Sequence, residues 1–110
     1  MRNANKVKQF CRALDGMQGG ITLFREGLDE FFLSHGYPLI RERLAEIRYG
    51  LEDLGLYEKA IAAINASECL VREERWHEAE MCILEFNREL SEASGANEDL
   101  RRNYTSANES

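Results

Sequence analysis

Apolar residues recur along most of this chain at the three- and four-residue spacing of an amphipathic α-helix. The clearest stretch is residues 75–94, whose apolar seam is Trp76, Ala79, Ile83, Phe86 and Leu90. No stretch sustains the alternation of apolar and polar residues that predicts a β-strand. The pattern therefore predicts an all-α fold, a compact bundle of about five antiparallel helices joined as helix hairpins.

Capping residues and glycines divide the first part of the chain. A first helix is expected to begin near Asn3 or Asn5. Gly16, Gly19 and Gly20 are expected to end it, because glycine is unfavourable inside a helix and common just after one. The apolar stripe of this helix is Val7, Phe10, Cys11 and Leu14.

A second helix is expected between Thr22, a candidate N-cap, and Gly36, which would adopt the left-handed conformation at its end. The third helix then begins at about Pro38, because the N–H that proline lacks would have no partner in a first turn. The apolar face predicted for the second helix is Phe24, Leu28, Phe31 and Phe32.

Two further seams predict the third and fourth helices. Gly50 weakens the third, since an interior glycine costs about 1 kcal/mol relative to alanine, and Gly55 is expected to end it. In the fourth, Ala60, Ala63 and Ser67 are small enough to let another helix approach closely. The seams are Ile40, Leu44, Ile47, Leu51 and Leu54 in the third helix, and Tyr57, Ile61 and Ile64 in the fourth.

Residues 57–94 contain neither glycine nor proline, which would permit one long helix. The phase of the pattern argues against it. The stripe that starts at Tyr57 would continue through positions that are mostly charged where the next seam is apolar, namely Glu68, Val71, Arg75 and Glu78. A break is therefore predicted within residues 72–75. Residues 1–96 are expected to form a single helical domain, and residues 97–110 a polar, flexible tail.

Two of these helix starts resemble those of tetratricopeptide repeats. Tyr57 is followed by Ala60, and Trp76 by Ala79, in the aromatic-x-x-Ala pattern of a helix start in that family. The two starts lie 19 residues apart, whereas the family repeats a helix pair about every 34 residues, so the resemblance covers these starts alone. It implies antiparallel helix hairpins and carries over no binding groove or functional residue.

Charge is unevenly distributed along the chain. The net charge is −6, and residues 51–100 contain thirteen acidic residues against four basic ones. Acidic surface repels phosphate and attracts basic protein surface, so direct nucleic-acid binding is not expected. The absence of a long apolar run and of a secretory signal predicts a cytoplasmic protein with no membrane contact. Cys11, Cys69 and Cys82 fit this interpretation as unpaired thiols of a reducing compartment.

No pattern predicts catalysis, a cofactor or a metal. Glu74 and His77 have the Glu-x-x-His spacing of di-iron bundles, but the required second copy is missing because Phe32 stands three residues before His35. His35 fits better as a histidine near the end of the second helix, where a partly charged imidazole would interact favourably with the helix dipole. Because nucleophile, phosphate-loop and dinucleotide motifs are also missing, we expect a protein that is not an enzyme and holds no cofactor.

One candidate site remains, a row of carboxylates on the last helix. It lies about 130° round the helix axis from the apolar seam and extends over about 21 Å. Exposed helix faces are often rich in glutamate, so solvation alone is one interpretation, and a docking face for a basic partner is the other. The row is Glu78, Glu85, Glu89 and Glu92.

We therefore expect a small non-enzymatic module that binds another protein, as an adaptor, a regulator or a self-associating unit. Any part of Phe24, Phe31 and Phe32 that the helices leave uncovered is a second candidate surface. The heptad-like seams could also continue across a two-fold axis in a homo-oligomer. The alternative is an acidic inhibitor of the phage or mobile-element type, which mimics nucleic acid and occupies the basic site of a nucleic-acid-binding protein.

Overall fold

The structure, a computed structural model, describes residues 1–24 and 32–96. Within these two ranges the chain is helical and contains no strand, which confirms the predicted all-α fold. A single-turn π-helix (Phe32–Gly36) runs directly into the second α-helix. The α-helices are α1 (Ala4–Phe24), α2 (Tyr37–Glu46), α3 (Arg48–Asp53), α4 (Tyr57–Arg72) and α5 (Trp76–Ser94).

Helix α5 lies between α1 and α4 and makes the most extensive contacts of the bundle with both. Cys11 lies beside Ser94, whereas Gln18, further along α1, reaches back to Glu80. The two helices therefore run antiparallel, as predicted. Helix α2 packs on both α1 and α4 and closes the ring of helices around one core.

The core is built from the apolar stripes of all five helices. Among the described helices, none is both long and apolar enough to cross a lipid bilayer. The residues with at most 1% of their surface exposed include Val7, Leu14, Ile21, Tyr37, Leu51, Ala60, Ile64, Val71, Ala79, Ile83 and Leu90.

Helix α1 continues through Gly16, Gly19 and Gly20, so the prediction that these glycines end it is wrong. Each glycine costs a helix about 1 kcal/mol relative to alanine. The cost is offset because Met17 and Ile21 continue the apolar stripe and are buried. Full burial of a side chain of that size contributes about 1.5–3 kcal/mol.

The predicted second helix is also wrong at both ends. Thr22 lies inside α1 and does not cap a new helix. Gly36 has a φ of −67°, so it is not left-handed and leads straight into α2. Pro38 occupies the first turn of α2, as predicted. Leu28 and Phe31, and the side chains of Phe24 and Phe32, lie outside the described residues.

The third predicted helix is divided at Ile47, whose φ of −109° separates α2 from α3. Gly50 in α3 is required by close packing, because a Cβ atom there would overlap the Arg2 carbonyl oxygen and lie 2.9 Å from Val7 Cγ2. Arg2 is held in this position by Asp53, which accepts its backbone N–H at 2.7 Å. The predicted seam is nevertheless correct, with Ile40, Leu44, Ile47 and Leu51 buried and Leu54 half-buried.

The predicted break within residues 72–75 is confirmed, since α4 ends at Arg72 and α5 begins at Trp76. Gly55 and Gly95 close α3 and α5 with φ values of +70° and +79°, in the left-handed region where glycine has no Cβ to clash. The predicted tail, residues 97–110, lies outside the described residues.

Candidate protein-binding face

The inner face of α5 anchors the helix in the core. Trp76, which begins the helix, is half-buried against the core cluster. Burial of this seam fixes which side of α5 points outward, because each turn contributes at least one core side chain. The remaining seam residues, Ala79, Ile83, Phe86 and Leu90, are at most 5% exposed, as their spacing predicts.

Two consecutive buried hydrogen bonds link α5 to α4 and, through the same serine, α4 to α2. Ser67 Oγ donates to the Ala79 carbonyl oxygen at 3.0 Å, and Tyr37 Oη lies 2.7 Å from Ser67 Oγ. A carbonyl oxygen can only accept, so the serine proton is committed to it and the tyrosine must donate to the serine. Burial raises the pKa of Tyr37 to about 12. Ser67 is fully buried, in agreement with its predicted place in a close helix contact.

Polar pairs hold the opposite flank of α5 against α1. Asn87, which is 5% exposed, donates from Nδ2 to Asp15 Oδ1 at 2.6 Å. Gln18 Nε2 donates to Glu80 Oε1 at 3.2 Å. Together with the bonds on the α4 side, these pairs set the rotation of α5 about its axis.

The outer face of α5 carries the four glutamates of the acidic row. All of them are exposed, on one side of a helix whose opposite side is buried. Two half-buried residues, Met81 and Cys82, border the row. The exposed glutamates are Glu78, Glu85, Glu89 and Glu92.

Half of this acidic row is compensated by neighbouring cations. Glu89 accepts a 2.7 Å hydrogen bond from Lys59 on α4, and Glu78 is paired with Arg75 at the start of its own helix. Glu85 and Glu92 form no ion pair with any residue that the structure describes. The row therefore presents two compensated and two uncompensated carboxylates.

Sequence reasoning missed both compensating cations. Arg75 stands three residues before Glu78, a spacing that predicts contact on a helix, so this pair was readable. Lys59 and Glu89 are thirty residues apart and meet only because α4 and α5 pack antiparallel. That pair depends on the register between two helices, which sequence spacing does not give.

The candidate metal residues do not assemble into a cluster. Glu74 and His77 are both exposed, and His35 is exposed in the π-helical turn. Across residues 1–24 and 32–96, no group of three or more His, Cys, Asp or Glu side chains is placed to hold a metal ion.

The three cysteines are unpaired and differ in burial. Cys11 is buried between α1 and α5, Cys82 is half-buried, and Cys69 is exposed on α4. Burial raises the pKa of the Cys11 and Cys82 thiols, which disfavours the reactive thiolate form.

Comparison of the chain with protein-family models, with curated proteins and with solved structures finds no match. The observations that bear on function are therefore the geometry and charge of the bundle itself. Among these, the outer face of α5 is the feature that the sequence also singles out.

Proposed function

We propose that this chain is a non-enzymatic helical module that binds another protein, and that the acidic row of α5 docks on a basic surface of that partner. The observation that carries the proposal is the combination of a fixed helix with uncompensated charge. Glu85 and Glu92 lie about 10 Å apart along a helix whose rotation is set by hydrogen bonds to α1 and α4 and by its buried apolar seam. A basic partner would meet both carboxylates without reordering the backbone.

The two compensated glutamates fit the same proposal. The ion pairs of Glu78 and Glu89 are exposed, and such pairs contribute only about 0–1 kcal/mol to stability. Their carboxylates can therefore exchange an internal cation for a partner's arginine or lysine at little cost. The same charges would raise the association rate with a basic partner at low ionic strength.

The alternative proposal, an acidic inhibitor that mimics nucleic acid, has weaker support. Duplex DNA carries one negative charge per about 1.7 Å of axis. The row offers four carboxylates over about 21 Å, of which Glu78 and Glu89 are already paired. The charge density of the described face is thus far below that of the ligand it would imitate, which favours a protein-binding role.

Self-association through the apolar seams would require the bundle to open. Ile47 and Ile83, at the centres of the two seams, are 2% and 0% exposed within a single chain. A homo-oligomer formed by the closed bundle would have to use the outer surface. The cytoplasmic location expected from the sequence stays a prediction, and it agrees with three unpaired thiols.

The test is affinity purification from cells of the native host at low and at moderate salt. The first variant changes the whole acidic row to glutamine: Glu78→Gln, Glu85→Gln, Glu89→Gln and Glu92→Gln. The matched control removes the same charge from exposed positions elsewhere, of which one is ion-paired within the described chain and three are not: Glu52→Gln, Glu42→Gln, Glu46→Gln and Glu58→Gln.

The proposal predicts that wild type and the control variant capture equal amounts of a basic protein. The row variant should capture about tenfold less of it. Capture should weaken as salt rises, because exposed charges are screened. Equal capture by the two glutamine variants would refute the proposed face. Release of the partner by added duplex DNA or RNA would instead support the inhibitor alternative.

A further inference from the structure

A groove of about 500 Å³ lies on the other side of the bundle, between α1 and α2. Its lining includes Arg12 and Arg43, one from each helix, and Gln9. Leu39, in the same lining, is 50% exposed, which makes it one of three large apolar residues that the described chain leaves open to solvent. The apolar part of the lining is Ala13, Met17, Leu39 and Ile40.

The cations of this groove have no partner inside the described part of the chain. Arg12 and Arg43 are exposed, and neither forms an ion pair or a hydrogen bond with a described residue. Lys6, in a smaller hollow lined also by Arg43 and by one carboxylate, Glu46, is unpaired in the same sense. In contrast, the guanidinium groups of five other arginines have carboxylate partners: Arg2, Arg41, Arg48, Arg72 and Arg75.

The length of the groove fits a short helix. Its lining and that of the adjoining hollow follow α1 from Lys6 to Met17, which is about 16 Å or three helical turns. An amphipathic helix docks in such a groove by placing apolar anchors at i, i+3, i+4 and i+7 on an apolar floor. Carboxylates beside these anchors would face the unpaired cations of the rim.

We propose that the groove between α1 and α2 binds an amphipathic helix with acidic flanks from a partner protein. The ligand's apolar side chains pack against exposed Leu39 and against the small exposed parts of Met17 and Ile40, and its carboxylates pair with Arg12 and Arg43. With the acidic row proposed on α5, the chain would hold two separate docking surfaces, which suits an adaptor.

A second copy of this chain is a poorer occupant than a separate partner. The apolar seam of α5, its most acidic helix, is already buried in the core. Across the described residues, the exposed large apolar side chains are Met1, Leu39 and Tyr49, which do not form a stripe on one helix. No described helix of the chain therefore offers the anchors that the groove would receive.

The experiment measures fluorescence anisotropy with a labelled peptide of about fourteen residues, with leucine at i, i+3, i+4 and i+7 and mainly glutamate elsewhere. A second peptide has lysine in place of each glutamate. The full chain should bind the acidic peptide saturably and the basic peptide at least tenfold more weakly. Arg12→Gln with Arg43→Gln should weaken binding about tenfold, whereas Arg88→Gln on α5, an exposed arginine without a described partner, should not.

The apolar floor is tested in the same assay. Leu39→Ser should weaken binding of the acidic peptide about tenfold, and Tyr49→Ser, at an exposed apolar residue elsewhere, should leave it unchanged. Circular dichroism checks that every variant is folded. Absence of saturable binding, or equal binding by wild type and the double arginine variant, would overturn the proposal.

Analytical ultracentrifugation tests the other candidate occupant of the groove, a second copy of this chain. Wild type should sediment as a monomer; self-association abolished by Arg12→Gln with Arg43→Gln would assign the groove to a second copy and overturn the partner assignment. The variant with four glutamines on α5 should bind the peptide as wild type does. The proposal for the groove can therefore be refuted while the proposal for the acidic face is supported, or the reverse.

Discussion

The two faces of α5 use the same helical repeat for opposite purposes. On the inner face, Ile83 and Leu90 are fully buried and every turn contacts the core. On the outer face, Glu85 and Glu92 stand at the same seven-residue separation and contact no described cation. The inner face is explained by contacts within this chain, whereas the docking role proposed for the outer face depends on a partner molecule. Mutations that separate stability from binding should follow this division.

The largest difference in stability is expected between two positions of α5 that are close in sequence but lie on opposite faces. Ile83→Ala removes a fully buried side chain and should lower the free energy of unfolding by about 2–5 kcal/mol. Glu85→Ala changes an exposed residue and should stay within about 0.5 kcal/mol. Urea titration followed by circular dichroism measures both. A comparable loss for the two variants would show that the outer face also supports the fold.

A smaller effect is expected where α5 is held by hydrogen bonds. Ser67→Ala removes the bond to Ala79 and leaves the buried Tyr37 hydroxyl without its acceptor, at a cost of about 1–3 kcal/mol. Tyr37→Phe leaves the Ser67 bond intact and should cost about 1 kcal/mol. Denaturant unfolding of both variants and of the double variant is the measurement. A milder effect of Ser67→Ala would contradict the assigned direction of these bonds.

The same tyrosine predicts a pH dependence. Because its pKa is raised to about 12, folded Tyr37 keeps its proton above pH 10, where an unfolded tyrosine loses it. The unfolded state then binds fewer protons, so stability should fall by up to about 2 kcal/mol between about pH 10 and pH 12. Subtracting the Tyr37→Phe profile isolates this group. Parallel profiles for wild type and the variant would argue against its burial.

The smallest effect is expected for the ion pair between the outer face and α4. A double-mutant cycle of Lys59→Ala and Glu89→Ala should give a coupling of about 0.2–1 kcal/mol, because both groups are exposed. The coupling should decrease at about 1 M salt, where the Debye length falls to about 3 Å. A salt-independent coupling would show that the pair is structural and not available to a partner.

The inner face was predictable from the sequence, because helix residues that pack on the core of the same chain must recur at helical spacing. The break after Arg72 was readable for the same reason, since a change of phase between two stripes requires a change of helix. Glycines gave the wrong boundary in α1, where burial of Met17 and Ile21 outweighs the local preference of Gly16. Local signals therefore failed wherever tertiary packing opposed them.

The candidate sites were less predictable than the core. Spacing identified the acidic row, but the cation from Lys59 depends on how α4 and α5 align. By local propensity Gly50 weakens its helix, whereas in the fold the close approach of Arg2 requires a glycine there. The groove combines α1 with α2, and its unpaired Arg12 and Arg43 have no local pattern that marks them. Pairings between distant segments are the information that periodicity lacks.

Because the three thiols differ in burial, their rates of alkylation can report how often the helices of this protein separate. Cys69, exposed on α4, should accept a maleimide dye in the native state, while Cys82 reacts more slowly. Cys11 lies within 4.0 Å of Ser94 where α1 meets α5, so its alkylation requires these helices to separate. The rate of Cys11 alkylation would therefore measure how often α1 and α5 separate, and no cysteine has to be introduced for it.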